Sequence, residues 1–420
     1  MQDNGTDYLS SVWTHLSETV MCRGEGIYLY DTDGNQYMDF TCGIGVTSTG
    51  HCHPKVVRAI QEQAGKLIFG QLNCVFNQPA IELARELATI MPVGINRFFF
   101  SNSGAEAVEG AIKLAKAATG KTNIIAFHGG FHGRTALTMA LTASKTVYRS
   151  NYQPLPAGIF FAPFPDAFYY GWDEATTVSF CIKELKRMLQ STTAPQETAA
   201  MIIEPILGEG GYVPAPSSFL QQVREICEQQ NILLILDEIQ SGFGRAGEWL
   251  ATTATGVTGD IIVLAKGLAS GMPVSCVAAT EALMSKWIKG SHGGTYGGGN
   301  AVALAAAVAT IRTIKEEKLL ENSQQMGLYL LEQLKILQVK FPILADVRGR
   351  GLMIATELRK NGEPAVEETT KITSGCKNKH LLLLTCGTFG NVIRWIPPLI
   401  VKKEQLDEAL HIFAAQLASL

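Results

Sequence analysis

Three short stretches carry residue types that could do chemistry together. Ser101-Asn102-Ser103-Gly104-Ala105-Glu106-Ala107 follows the apolar run Phe98-Phe99-Phe100 and opens a helical pattern near Ala105. Small residues with free backbone N–H groups at a helix N-terminus bind anions, phosphate above all. Ordinary capping of the helix by Ser103 is the alternative. Asp237 ends the run Ile232-Leu233-Leu234-Ile235-Leu236. A carboxylate at the carboxyl end of a buried strand is costly unless a cation or several donors meet it; otherwise it is a turn or helix cap. Lys266 ends the next run, from Asp260 to Ala265, and precedes Gly267. A lysine there either snorkels to solvent or, if buried, loses proton affinity and can form a Schiff base. A phosphate cradle, a buried aspartate and a strand-end lysine on one sheet suit pyridoxal phosphate. The phosphate anchors the cofactor, Lys266 holds its aldehyde as an imine, and Asp237 keeps the pyridine nitrogen protonated so that the ring accepts electrons.

Other motif-like matches point elsewhere and are weaker. Gly242-Phe243-Gly244-Arg245-Ala246-Gly247 satisfies a dinucleotide glycine pattern, but the acidic pair Asp237-Glu238 intervenes after the strand and only a weak helix start follows. Gly120-Lys121-Thr122 resembles the end of a phosphate loop, yet it closes a helix and position 115 is alanine. His128 and His132 have the spacing of a zinc helix, but Gly129 and Gly130 oppose a helix and no adjacent glutamate base is present. In His51-Cys52-His53-Pro54 the better reading is a helix entered through Pro54. No metal is expected.

The elements that must position these residues form one rhythm between about 95 and 280. Apolar runs at Arg97–Ser101, Asn123–Phe127, Gly158–Ala162, Ala200–Ile203, Ile232–Leu236, Asp260–Leu264 and Val274–Ala279 alternate with helical patterns at Ala105–Thr119, Thr177–Gln190 and Pro216–Gln229. That pattern predicts an α/β fold with a mostly parallel sheet covered on both faces, and ligands beyond the carboxyl ends of its strands. After Asn300 the spacing predicts helices at Ala301–Lys315 and Glu316–Lys335. Strands follow at Ile343–Val347, Met353–Leu358, Leu381–Thr385 and Val392–Trp395, then a last helix, Lys403–Leu417. This reads as a smaller α+β domain. A hairpin is expected at Gly26–Asp31 and Gln36–Phe40. The divisions expected are residues 1–50, packing with the small domain, a large cofactor-binding domain at 51–310, and a small domain at 311–420.

Composition narrows the function classes. With 46% hydrophobic and 17% charged residues, the chain is far from a disordered one, and so little charge suits a large body with a high buried fraction, or one that also buries surface against a partner subunit. A net charge of −3 without a basic tract offers no nucleic-acid footprint. No apolar stretch approaches the ~20 residues of a membrane span. Met1 to Trp13 has no signal-peptide pattern, and the nine cysteines are scattered without a C-x-x-C pair, which together predict a cytoplasmic protein.

From about Gly24 onward the chain resembles a class III (subgroup II) pyridoxal-phosphate aminotransferase of fold type I, closest in pattern to 4-aminobutyrate aminotransferase. The motifs are Gly50-His-Cys-His-Pro54, Ser103-Gly-Ala-Glu-Ala107, Phe131-His-Gly-Arg-Thr135, Glu204-Pro205 with Gly208-Glu-Gly-Gly211, Leu236-Asp-Glu-Ile-Gln-Ser-Gly-Phe-Gly-Arg245, Ala265-Lys-Gly267 and His292-Gly-Gly-Thr-Tyr-Gly-Gly298. The resemblance implies that Lys266 is the Schiff-base lysine and proton shuttle, and that Asp237 pairs with the pyridinium nitrogen. It implies that Gln240 bonds the phenolic oxygen, that Phe131 stacks on the ring with His132 in the same cofactor set, and that Ser103, Gly104 and Ala105 hold the phosphate. Thr295 would reach the phosphate of a neighbouring subunit, which implies a homodimer with sites at its interface. For substrate it implies that Arg394 grips an α-carboxylate and Glu209 closes on Arg394 when there is none. Arg134 would grip a distal carboxylate, with Glu204 and Ile44 also in the substrate set and Ile44 against the donor chain. The expected reaction moves the amino group of a 4-aminobutyrate-like ω-amino acid to 2-oxoglutarate by a ping-pong mechanism. An acetylornithine- or ornithine-type transaminase, an amino-acid racemase or epimerase of the same family, and a non-enzymatic binding protein are the alternatives. The chain departs from the pattern in having Asn300-Ala301 where Asn-Pro is usual, after an extra glycine at Gly297–Gly299.

Overall fold

The apolar runs of the middle of the chain become neighbours in one sheet. The computed structural model describes residues 8–420. Seven strands lie in the order Arg97–Ser101, Ser275–Ala279, Ile261–Leu264, Leu233–Asp237, Thr198–Ile203, Asn123–Phe127 and Ile159–Ala162. The pairings among the last five are parallel, and Ser275–Ala279 alone runs against its neighbours. Alternate residues serve opposite faces, as the two-residue period of a strand requires. Ile124, Ala126, Ile202, Ile235 and Val263 pack under the helix Gly104–Thr119. Ile125, Phe127, Met201, Leu234 and Leu236 meet the helices Glu174–Ser191 and Ser217–Gln230 on the other side. Burial of both faces is why these strands read as unbroken apolar runs.

Three further sheets accompany this one among the described residues, the smallest pairing Ile206–Leu207 with Val213–Pro214 on either side of Glu209. The hairpin Tyr28–Asp31 and Gln36–Asp39 forms where expected; Asp31 Oδ1 closes its turn by accepting the N–H groups of Asp33 and Asn35 at 3.0 and 2.8 Å. Met21–Glu25 and Leu381–Leu382 complete that sheet. Leu344–Arg350, Met353–Lys360, Val392–Trp395 and Leu384–Cys386 form an antiparallel sheet that carries Arg394. The expected single strand Leu381–Thr385 is therefore two, in different sheets, with buried Leu383 between them. The second helix after Asn300 runs Leu319–Lys340 and not from Glu316, because Lys318 takes a left-handed conformation (φ 52°) at the corner. Lys55 pins that corner through Glu316 and Glu317 at 2.8 and 3.0 Å.

The glycine pattern at Gly242–Gly247 is a packing joint between segments. Buried Arg245 donates to the carbonyls of Leu352 and Pro397 at 3.1 and 2.6 Å. Gly351, at φ 54°, lies so close that a Cβ on it would come within 2.5 Å of the Ala246 carbonyl carbon. The helix Leu319–Lys340 approaches the same turn, and a Cβ on Gly327 would lie 2.1 Å from Gly351 O. Such a clash with backbone cannot be relieved by a rotamer change. Gly327→Ala should therefore destabilise the fold by about 1–3 kcal/mol, read as a lowered midpoint of thermal unfolding. An unchanged midpoint would show that the helix and the turn at Gly351 do not touch there in solution.

Candidate active site

Beyond the carboxyl ends of the central strands lies a cavity of about 420 Å³, within the range of small-molecule sites. Its walls include Ser103, Gly104, Ala105, Phe131, His132, Arg134, Glu204, Glu209, Asp237, Gln240 and Lys266. Residues far apart in the chain are thus brought together as the strand ends require.

At one end is the start of the helix Gly104–Thr119. Ser103 Oγ accepts the Glu106 N–H at 3.3 Å, and Glu106 Oε2 accepts the Ser103 and Asn102 N–H groups at 3.0 and 2.8 Å. This capping box leaves the N–H groups of Gly104 and Ala105 without a partner among the described residues. Ser103 is a helix cap, and the two residues after it present free donors to the cavity. A Cβ on Gly104 would lie 2.9 Å from Ile239 Cδ1, so glycine also allows the helix to approach the turn after Asp237.

Asp237 is 3% exposed. Its Oδ2 lies 2.7 Å from His132 Nδ1, and its Oδ1 accepts the Ile239 N–H at 3.1 Å. Burial alone would drive His132 towards the neutral form. The hydrogen bond to Asp237, with the charges of Asp237 and Glu204, outweighs burial and raises the imidazole above its ordinary pKa. His128 goes elsewhere, stacking on Phe161 at 5.8 Å. Among the described residues no group of three or more His, Cys, Asp or Glu is arranged to hold a metal ion.

Glu204 is buried, and its carboxylate accepts the N–H groups of Phe131 and Gly208 at 2.7 and 2.8 Å. Burial, with the charge of Asp237 against it, raises its pKa well above the carboxylate range despite His132. Both carboxylate oxygens thus have backbone partners, so Glu204 fixes Phe131 and the turn bearing Glu209. Gln240 Oε1 is buried without a partner. Lys266 follows the strand Ile261–Leu264 in a left-handed conformation (φ 46°), a form of strain found at functional sites. Burial, the main cause, lowers its amine to a pKa of about 8, with Arg394 adding and the carboxylates of Glu204, Asp237 and Glu209 opposing.

The opposite end is a set of charges. Arg394, 4% exposed, donates through Nη1 to Glu209 Oε2 at 3.0 Å and through Nη2 to Thr385 O at 2.8 Å. Glu209 Oε1 accepts from Lys145 Nζ at 3.0 Å and from Tyr148 OH at 2.9 Å. Burial would raise the Glu209 pKa, but Arg394 and Lys145 overcome it and hold the carboxylate ionised. Arg134 is exposed, with its guanidinium 4.9 Å from the Tyr148 ring centre; among the described residues it has no carboxylate partner within salt-bridge distance. Lys145 and Tyr148 were missed by sequence reasoning. A lysine and a tyrosine in a polar loop carry no signal until the fold sets them against Glu209.

Three expected site residues, Arg394, Ile44 and Thr295, lie outside the cavity wall, and Arg394 meets it through Glu209. Cys42, Gly43, Ile44 and Gly45 all have positive φ (49°, 60°, 65° and 76°), a left-handed turn that is unusual for a β-branched residue. Ile44 is 46% exposed there, and Val46 lines the cavity instead. Thr295 is also exposed; its hydroxyl donates to Glu106 Oε1 of its own chain at 2.8 Å and pairs with the Asn102 amide.

Pyridoxal phosphate fits the residues present. The unpartnered Gly104 and Ala105 donors, the orphaned Gln240 oxygen, the buried Asp237 and the Lys266 amine share one cavity. A cleft of this kind, at the strand ends of a mostly parallel sheet with a smaller domain beside it, is that of a fold type I pyridoxal-phosphate transferase. The family model for class-III aminotransferases matches residues 9–417, and the chain belongs to that family. It is 41% identical to the 5-aminovalerate aminotransferase of Pseudomonas aeruginosa over 93% of this chain and 92% of that protein. It is 35% identical to the 4-aminobutyrate aminotransferase of Escherichia coli over 93% and 92%. The crystal structure of a Bacillus anthracis aminotransferase superposes with a TM-score of 0.92, 29% identity and full coverage of both chains. The chain is thus a pyridoxal-phosphate-dependent aminotransferase. No helix among the described residues is long and apolar enough to cross a membrane.

Because burial holds the Lys266 amine near a pKa of about 8, half of it is uncharged at that pH. Reductive methylation of cofactor-free protein, followed at Lys266 by mass spectrometry, should accelerate up to about pH 8 and then level. Acceleration continuing to about pH 10, the ordinary lysine value, would show a solvated amine.

Proposed function

We propose that the enzyme moves the amino group of an ω-amino acid with a terminal carboxylate, of the 4-aminobutyrate or 5-aminovalerate type, to 2-oxoglutarate by a ping-pong mechanism. One observation carries this reading: Glu209 neutralises Arg394, while Arg134, on the same cavity as Glu209, has no acidic partner among the described residues. A donor that meets this arrangement brings its carboxylate to Arg134 and has none to offer Arg394. When the acceptor arrives, its α-carboxylate replaces Glu209 on Arg394, a bidentate pairing that suits a guanidinium.

The chain's residues divide the work. Gly104 and Ala105 donate N–H groups to the phosphate, with Ser103 shaping the helix start. Phe131 would pack on the ring and Gln240 would meet its phenolic oxygen. Asp237, held by His132, keeps a proton on the ring nitrogen. The bound cofactor supplies the electron sink that makes the donor's amine-bearing carbon acidic. Lys266 Nζ, buried on the cavity wall, would take the proton from that carbon and hold it for return. Thr295 of a second copy completes the phosphate site in a homodimer. The exposed Phe69 and Tyr296 rings, 5.8 Å apart beside Thr295, offer that copy an apolar seat. The nine free thiols suit a reducing, cytoplasmic setting.

Visible absorption of the holoenzyme tests the reading. Adding 4-aminobutyrate or 5-aminovalerate without a keto acid should abolish the cofactor's visible band, and 2-oxoglutarate should restore it. A band present but unmoved by either ω-amine would overturn the donor assignment. Lys266→Ala should abolish turnover while cofactor still binds noncovalently; an active variant would remove Lys266 from the chemistry. Arg394→Ala should slow the 2-oxoglutarate half-reaction on the order of 100-fold more than the ω-amine half-reaction. Equal losses would mark a purely structural arginine.

A further inference from the structure

Glu209 is shared between two cations on different parts of the fold. One carboxylate oxygen takes the Arg394 guanidinium at 3.0 Å, while the other already takes Lys145 Nζ at 3.0 Å and Tyr148 OH at 2.9 Å. Arg394 sits on the strand Val392–Trp395, whereas Lys145 and Tyr148 come from the segment after the helix Ala136–Leu141. The Glu209 backbone is anchored independently, its carbonyl accepting the Gly387 N–H at 2.9 Å. Glu209 is the one acidic partner of Lys145 among the described residues.

We propose that Lys145, assisted by Tyr148, is the second berth of Glu209: a positioning residue that keeps the carboxylate when an α-carboxylate displaces it from Arg394. The proposal rests on the ω-amine reading above. A carboxylate pushed off its guanidinium in a water-poor cleft, with nothing to receive it, suffers a large desolvation cost. With Lys145 and Tyr148 in place, Glu209 surrenders one bond and retains two. The charges also balance, since Glu209 and the incoming α-carboxylate then face Lys145 and Arg394. Without Lys145, Arg394 is the sole cation against Glu209. The closed pair tightens, and ligands that need Arg394 open bind less well. Ligands with a single, distal carboxylate do not draw on this equilibrium.

The test compares L-glutamate, which brings an α-carboxylate, with the ω-amine in single-turnover bleaching of the holoenzyme's visible band. In Lys145→Met the ratio of the two second-order rate constants should move about tenfold against glutamate, the scale of a lost hydrogen bond to a charged group. Tyr148→Phe should move it the same way by about threefold, and Lys145→Arg should restore it to within about threefold. Glutarate, a dicarboxylate that cannot react, gives a readout without turnover: its Kd by calorimetry should rise about tenfold in Lys145→Met. Equal losses with both donors, or an unmoved glutarate Kd, would overturn the proposal. If Lys145→Met does not fold, an unshifted ratio in Tyr148→Phe has the same force. Failure of the functional reading looks different, because wild-type enzyme is then bleached by neither ω-amine, and both proposals fall together.

Discussion

A buried carboxylate sets the terms for the whole cleft. Asp237 ends the central strand of a sheet covered on both faces, so its charge cannot reach water. The carboxylate is met there by His132 at 2.7 Å, whose positive form Asp237 favours, and by the Ile239 N–H at 3.1 Å. The interaction reaches beyond its two members. His132 belongs to the loop after the strand Asn123–Phe127, and fixing its ring fixes that loop across the cleft. Glu204 secures the neighbouring residue through the Phe131 N–H. Phe131 is thereby held on the cavity wall, and Arg134 follows three residues later. The Asp237 end of the cavity and Arg134 are linked through one anchored loop.

The two ends of the cavity differ in physical character. At the phosphate end the donors are backbone N–H groups rooted in a capped helix of sixteen residues, with nothing to rearrange. At the arginine end the contacts are long side chains around one shared carboxylate. A fixed end suits a cofactor that remains through the cycle. An exchangeable end suits a site whose ligands come and go. The strained backbone lies between them, at Lys266 and in the turn Cys42–Gly45, where a Cβ on Gly45 would come within 3.4 Å of Gln240 Cγ.

Much of this was legible in the sequence, and the reason is physical. Strands buried on both faces leave long apolar runs, so the polar residues that end them, Asp237 and Lys266, stand out at the level of letters. The helix start at Ser103 was equally visible, although its letters could not show that capping and free donors coexist. What escaped were features made by tertiary contact. Lys318 is an ordinary residue in a helical pattern, and only its corner makes it left-handed. Leu381–Thr385 reads as one strand because its apolar character is continuous, yet two sheets divide it. Ile44 has the right neighbours for a pocket residue, but four successive positive φ angles leave it half exposed. Lys145 gains meaning only from Glu209, which lies 3.0 Å away in space and in a different segment of the chain.

The division at Leu383 has a mechanical side. Leu381–Leu382 runs parallel to Gln36–Asp39 of the N-terminal hairpin, and Leu384–Cys386 pairs with the strand that carries Arg394. Leu384 is the direct register partner of Arg394. The hairpin and the arginine are therefore joined in series through a single intervening residue, like two levers on a short shaft. A twist applied to one sheet is delivered to the other with little slack, because buried Leu383 leaves no loop to absorb it. The hairpin Tyr28–Asp31 and Gln36–Asp39 thereby becomes part of the suspension on which the Arg394 guanidinium rides.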